Sequence, residues 1–170
     1  IDIIYADCSW SETGSVVRLE KGSVDNIISE KIDVLIRANS GILKGDILTA
    51  TKHGIFSYHH GDNRINRGGP PGFWEVLNNE PSTGFIIQRL SEELDGGEVL
   101  FRGNIATAKY WYQNHAQIIE KSQYFMIFLL NLLYEKGGIE ASEGPSLHHN
   151  PLYKLNGKTF VLLSYIFKTY

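Results

Sequence analysis

An α/β domain built on a mostly parallel sheet is the fold class this sequence predicts, and three observations predict it. Residues 1–58 alternate short apolar runs with helical patterns, in the order strand, helix, strand, helix, strand. The run at 54–58 is apolar enough for a buried strand, and it delivers His59 and His60 to its C-terminal end. The run at 83–90 reads as a further strand, and the tight turn Leu94-Asp95-Gly96-Gly97-Glu98 behind it presents a carboxylate. Histidines leaving one strand and a carboxylate leaving a neighbouring one mark where an open α/β sheet puts its site.

Taken in order, residues 1–6 are a strand candidate, followed by a polar loop at 7–14 and a short strand at 16–19. Ser23 has the character of a helix opener, with Asp25 in the first turn and Ile27 and Ile28 on the inner face. Residues 32–37 read as a buried strand and 44–51 as a short helix. Behind the strand at 54–58 lies a loop rich in glycine and proline. The stretch 71–77 then has helix-start character, with Pro71 in the first turn and Phe73, Trp74 and Leu77 at helical spacing. Residues 98–102 give one more strand. Residues 110–136 read as one long helix whose apolar positions fall first on one face and then all round, which implies burial against the sheet or a partner subunit. Gly137-Gly138 ends it. Beyond a loop at 140–151, Asn156-Gly157 is a hairpin signal before the apolar tail at 158–170.

Composition sets the bounds. With 170 residues, 42% of them hydrophobic, the chain can bury one good core and little more. A net charge of −3 gives no bulk electrostatic reason to bind a polyanion, so no nucleic-acid partner is expected. The single cysteine, Cys8, excludes an internal disulfide and suits a reducing compartment. No apolar run reaches the roughly 18 residues of a membrane span, and no basic segment precedes an apolar run at the N-terminus. A soluble, cytoplasmic protein with no membrane partner is the expectation. The division expected is an α/β domain at 1–137 and a loop with an apolar tail at 138–170.

The pieces from Ser57 onwards resemble the catalytic core of the folate-dependent formyltransferases, the family of the glycinamide ribonucleotide, methionyl-tRNA and sugar N-formyltransferases. That family's pattern runs Asn-x-His-x-Ser-Leu-Leu-Pro, Arg-Gly-x-x-Pro-x-x-Trp, Glu-x-Thr-Gly, Leu-Asp-x-Gly-Asp. Here Ser57-Tyr58-His59, Arg67-Gly68-Gly69-Pro70-Pro71-Gly72-Phe73-Trp74, Ser82-Thr83-Gly84 and Leu94-Asp95-Gly96-Gly97-Glu98 follow in the same order. The resemblance implies a Rossmann-like domain, N-terminally incomplete because the family's first strand and its glycine-containing loop have no clear counterpart. It also implies 10-formyltetrahydrofolate as co-substrate and an amine as formyl acceptor. His59 would polarise the formyl oxygen or move a proton, and Asp95 would set the imidazole's charge state. A carboxylate near imidazole favours the cation, which can stabilise an oxyanion.

Two departures from the family stand out. Ser57 replaces its asparagine, and a hydroxyl offers one donor where an amide offers two. Loss of an oxyanion donor costs on the order of 10² to 10³ in rate unless Asn63, His60 or a water held by Ser57 takes its place. The apolar Leu-Leu-Pro is replaced by Gly61-Asp62-Asn63-Arg64, which implies a more polar acceptor. Asp62 is a candidate for the acceptor amine, Arg64 for a phosphate or carboxylate, and Asn63 lies between them; the alternative is a solvated turn. For the pterin, the resemblance points to Ile42 and Leu43 and to the main chain of Ser91, Glu92, Glu93 and Leu94; core packing and a surface turn are the alternatives. Trp74 reads as a core anchor.

His59-His60-x-Asp62 does not read as a metal site, because adjacent histidines on an extended segment face opposite ways. No metal is expected. The expected activity is N-formyl transfer to a small-molecule amine, an amino sugar or nucleotide-linked amino sugar in first place. Hydrolysis of the formyl donor, or a non-catalytic folate- or nucleotide-binding module, is the alternative. A homodimer is expected through the helix at 110–136 or the tail.

Overall fold

The computed structural model describes residues 3–38, 41–65, 68–94 and 96–144. The tail at 158–170, the Asn156-Gly157 hairpin signal, Arg67 and Asp95 lie outside the described residues. Elements run in the order β1 (Cys8–Trp10), β2 (Val16–Leu19), α1 (Lys21–Ser29), β3 (Leu35–Arg37), β4 (Ile42–Lys44), a 3₁₀ turn (Asp46–Thr49), β5 (Ile55–His59), α2 (Phe73–Asn78), β6 (Ser82–Arg89), β7 (Glu98–Ala106) and α3 (Trp111–Lys136). The described strands form a three-stranded sheet, β1-β2-β4, and a four-stranded sheet, β3-β5-β6-β7.

The sheets are mixed rather than mostly parallel. β1 and β2 pair antiparallel, while β2–β4 and β3–β5 pair parallel. β6 and β7 run antiparallel, as two close approaches require. The Thr107 N–H just past the end of β7 donates to Pro81 O just before β6, at 3.1 Å. Gly97, just before β7, lies against the carbonyl of Arg89 at the end of β6. The connection between β6 and β7 is short, and short connections join antiparallel neighbours.

The chain divides into two compact units. The first takes the described parts of Ile1–Ser57, Gln88–Val99 and Ala141–Leu147. Its core is aliphatic: Val24, Ile27, Ile47, Leu48 and Ile55 are buried, with Leu19, Leu35, Leu43 and Leu90 packed on them. Several local expectations are corrected here. Residues 3–7 form no strand, and Ile3 and Tyr5 are exposed. The Asp7 N–H instead donates to Ser23 Oγ, and its carbonyl accepts from Glu20, so the hairpin with β2 starts only at Cys8. Ser23 is therefore not a cap: α1 begins at Lys21, Ser23 is buried inside it, and its first turn holds no acidic residue. Ile27 faces the core, but Ile28 is exposed because it lies about 100° round the helix. The buried strand expected at 32–37 is only Leu35–Arg37, with Ile36 exposed, and the helix expected at 44–51 is the single 3₁₀ turn.

The second unit takes the described parts of Tyr58–Ile87, Leu100–Glu140 and His148–Tyr170. Phe85, Ile105 and Ile118 are buried, and Phe85, Phe101 and Phe125 stack at centroid distances of 4.4 to 6.0 Å. α2 starts two residues later than Pro71, behind Gly72 in a left-handed conformation. α3 matches its expected span and ends on Gly137 at φ 70°, whose N–H donates to Leu133 O. It is not buried all round: Asn114, Ile118, Ser122, Met126, Leu129 and Leu133 face inward, whereas Tyr124, Ile127, Phe128 and Tyr134 are exposed. No helix among the described residues is long and apolar enough to cross a membrane.

Polar side chains build the interior of this unit. Asn114 is 0% exposed. Its Nδ2 donates to Gly72 O and Thr83 Oγ1, both at 2.8 Å, and its Oδ1 accepts the Ala108 N–H at 3.0 Å. Trp111 Nε1 and His115 Nδ1 both donate to Pro71 O, at 3.0 and 3.2 Å. One amide side chain thus joins the start of α2, the start of β6 and the loop before α3.

Candidate active site

The site is best built outward from β5. Successive side chains on a strand face opposite ways, so Ser57 and His59 share one face while Tyr58 and His60 share the other. The second pair is visible directly: the rings of Tyr58 and His60 stack at 5.5 Å. Ser57 is buried, at 2% exposure, and His59 is half-buried at the C-terminal end of the strand. A parallel partner, β3, flanks this strand, with Arg37 opposite Ser57 in the register.

His60 is committed elsewhere. Its Nε2 lies 3.0 Å from Ser122 Oγ, and that hydroxyl donates its own proton to Ile119 O at 3.0 Å. The imidazole therefore carries a proton on Nε2 and donates it to Ser122. Burial, then the charges of His59 and His115, lowers the His60 pKa to about 4, so the ring is neutral at ordinary pH. Burial likewise pushes Tyr58 above its usual value. With its Nε2 facing α3, His60 serves packing rather than the face shared by Ser57 and His59.

Asp62, Asn63 and Arg64 come together in a turn that is buried at Asn63 and exposed at Arg64. The Asp62 carboxylate accepts from the Arg64 N–H at 3.0 Å, Arg64 Nε at 3.0 Å, Arg64 Nη2 at 2.7 Å and Arg102 Nη1 at 2.8 Å. Arg102 Nη1 also donates to Asn63 Oδ1 at 3.0 Å, and Asn63 is 1% exposed. Burial alone would push the Asp62 carboxyl up; the hydrogen bonds of Arg64 and the charges of Arg102 and Arg64 outweigh it and hold the group below its usual range. Asp62, Arg64 and Arg102 line a polar cleft of about 150 Å³, together with Glu75, Glu80 and Ser82. Sequence reasoning missed Arg102, for which the one available signal was a charged residue interrupting the apolar pattern of β7.

The other candidate strip lies in the first unit. Ile42 and Leu43 are half-buried on β4, and Trp10 lies over Gly41, whose added Cβ would fall 3.3 Å from the indole. Glu92 Oε1 accepts the Gly45 N–H at 2.7 Å, and its second oxygen lies 4.0 Å from Lys44 Nζ. The turn at 91–94 is thus brought to the end of β4. Ser91 Oγ accepts the Glu93 N–H at 3.3 Å, and Leu94 is exposed. Leu43 also packs on the aliphatic core, and the Glu93 carbonyl accepts the Gly96 N–H at 3.2 Å. Among the described residues no group of three or more His, Cys, Asp or Glu side chains could hold a metal ion.

No protein-family model matches the chain. Among curated proteins it is similar to the methionyl-tRNA formyltransferase of Listeria innocua, with 31% identity over 83 residues, 48% of this chain and 27% of that one. The enzyme of the same name from Bacillus thuringiensis is 29% identical over 82 residues. The chain spans about a quarter of the length of these relatives. Among solved structures it is similar to the formyltransferase PseJ from Anoxybacillus kamchatkensis, in complex with UDP-4,6-dideoxy-4-formamido-L-AltNAc and tetrahydrofolate. The TM-score is 0.55 at 23% identity, over 78% of this chain and 69% of that one. A 4-N formyltransferase from Francisella tularensis gives a TM-score of 0.62 at 15% identity, over 87% and 65%. This chain therefore has the fold of the formyltransferases, and over about half its length its sequence resembles the methionyl-tRNA formyltransferases.

Proposed function

We propose that this chain carries the catalytic part of an N-formyltransferase that moves a formyl group from 10-formyltetrahydrofolate to an amine of a small molecule. An amino sugar or nucleotide-linked amino sugar is the favoured acceptor. The observation that carries the reading is the common face of Ser57 and His59 at the C-terminal end of β5, followed directly by a polar pinned turn, on a formyltransferase fold. When bound, the donor supplies an electrophilic formyl carbon. Ile42 and Leu43, with the main chain of Ser91, Glu92, Glu93 and Leu94, would hold its pterin.

His59 would donate a ring N–H to the oxygen on which negative charge develops, and Asp95 would accept and return protons through water. Ser57 adds a hydroxyl on the same face. Asp62, already paired with two guanidinium groups, would share its charge with an acceptor amine rather than meet it alone. The acidic balance of the chain favours a small acceptor over methionyl-tRNA.

A single-turnover assay with formyl-labelled donor tests the proposal. Label should pass to an amino sugar or nucleotide-linked amino sugar. Label released only as formate would mean hydrolysis, label passed to methionyl-tRNA would move the acceptor class, and donor bound but never consumed would mean a binding module.

A further inference from the structure

The turn after His59 is held by residues distant in sequence. Five hydrogen bonds converge on the Asp62 carboxylate, and the one from Arg102 reaches across 40 residues to β7. The same Arg102 nitrogen holds Asn63 Oδ1, so one guanidinium grips two successive turn residues. The side chains of Asp62 and Arg102 are 15% and 14% exposed, which makes this a largely buried pair. β6 contributes by lacking a side chain. A Cβ at Gly84 would fall 2.7 Å from Asp62 Cβ and 3.0 Å from its backbone nitrogen, so glycine lets the turn lie flat on the strand. A buried ion pair gains little stability over an apolar pair of the same volume, so its contribution is better sought in the geometry it imposes.

We infer that Arg102 is a positioning residue for the acceptor: through Asp62 and Asn63 it fixes the turn at 61–65, and with it one wall of the polar cleft that Ser82 and Asn104 also line. The inference rests on the formyl-transfer reading and names the side of the reaction that the cleft serves. Arg102 is suited to this because its planar guanidinium offers several donors in fixed directions, which a lysine ammonium does not.

The test uses the full chain as wild type, Arg102→Lys and Arg102→Met, with hydrogen exchange read by mass spectrometry and kinetics on the amine that wild type uses. In Arg102→Met the amides at 61–65 should exchange about tenfold faster while those of α3 keep their protection. The acceptor KM should rise about tenfold with donor binding by calorimetry unchanged, and Arg102→Lys should recover part of that rise. Unchanged exchange at 61–65 would overturn the lock. Faster exchange there with an unchanged acceptor KM would overturn the assignment to the acceptor. A loss of α3 protection in both variants would reduce Arg102 to a stabilising residue and overturn it too. A wild-type chain that binds no donor and moves no formyl group would overturn the functional reading and the acceptor role with it, while the exchange data would still report on the lock.

Discussion

The two compact units are stabilised by different kinds of contact. In the first, Val24, Ile27, Ile47, Leu48 and Ile55 meet as interchangeable aliphatic surfaces, and the candidate pterin strip rests on that frame through half-buried Ile42 and Leu43. In the second, stacked phenylalanines share the interior with Asn114, Thr83, Ser122, His60 and the Asp62–Arg102 pair, whose hydrogen bonds have direction. Aliphatic packing tolerates small shifts, whereas a hydrogen bond weakens steeply with misalignment. The difference teaches where positional accuracy resides: the turn at Asp62 and the start of α2 are set by directional contacts, whereas in the first unit such a contact, Glu92 to the Gly45 N–H, joins the turn at 91–94 to a frame of aliphatic packing.

Substitutions of matched burial should expose that contrast. Asn114→Ala removes three hydrogen bonds and takes this partner from Gly72 O and the Ala108 N–H, while Thr83 Oγ1 keeps Thr107 Oγ1. It should lower unfolding stability by about 3 kcal/mol in urea titration, and a value near zero would break the comparison. Gly84→Ala drives a methyl into Asp62 and should cost about 2 kcal/mol by the same measurement, together with a loss of activity.

The pH dependence follows from His60. Its folded-state pKa of about 4 lies below the ordinary 6.5, so the unfolded chain takes up the proton more readily. The stabilising contribution is present above pH 6.5 and is lost as pH falls through about 4. It amounts to about 2 kcal/mol once screening is allowed for, and His60→Gln should flatten the slope in a pH series of urea titrations. In the aliphatic unit, Ile27→Val should cost only about 1 kcal/mol. A cost there equal to that of Asn114→Ala would mean that the two interiors do not differ in kind.

Much of the part around β5 was legible in the sequence because its signals are local. The apolar run of β5, the glycine and proline before α2, the run of β6 and the long helix each lie within one or two residues of expectation. What was not legible depends on partners distant in the chain. Nothing local says that the hydrogen bonds of Asp7 would go to Ser23 and Glu20 instead of a neighbouring strand. Arg102 reads as an ordinary strand charge until Asp62 stands beside it, and Asn114 as an ordinary helix residue until Gly72 and Thr83 do. The short β3 and the exposed Ile36 follow from the same limit, since an isoleucine run gives burial only where something covers it.

The central claim is that Asp95 governs proton movement at His59, and turnover measured alongside donor-analogue binding by calorimetry on Asp95→Asn tests it most directly. The substitution keeps the size of the side chain and removes the carboxylate charge on which the proposed role depends. Turnover should fall by roughly 10² or more with binding little changed. Loss of binding, or unfolding of the chain, would make Asp95 structural and contradict the account.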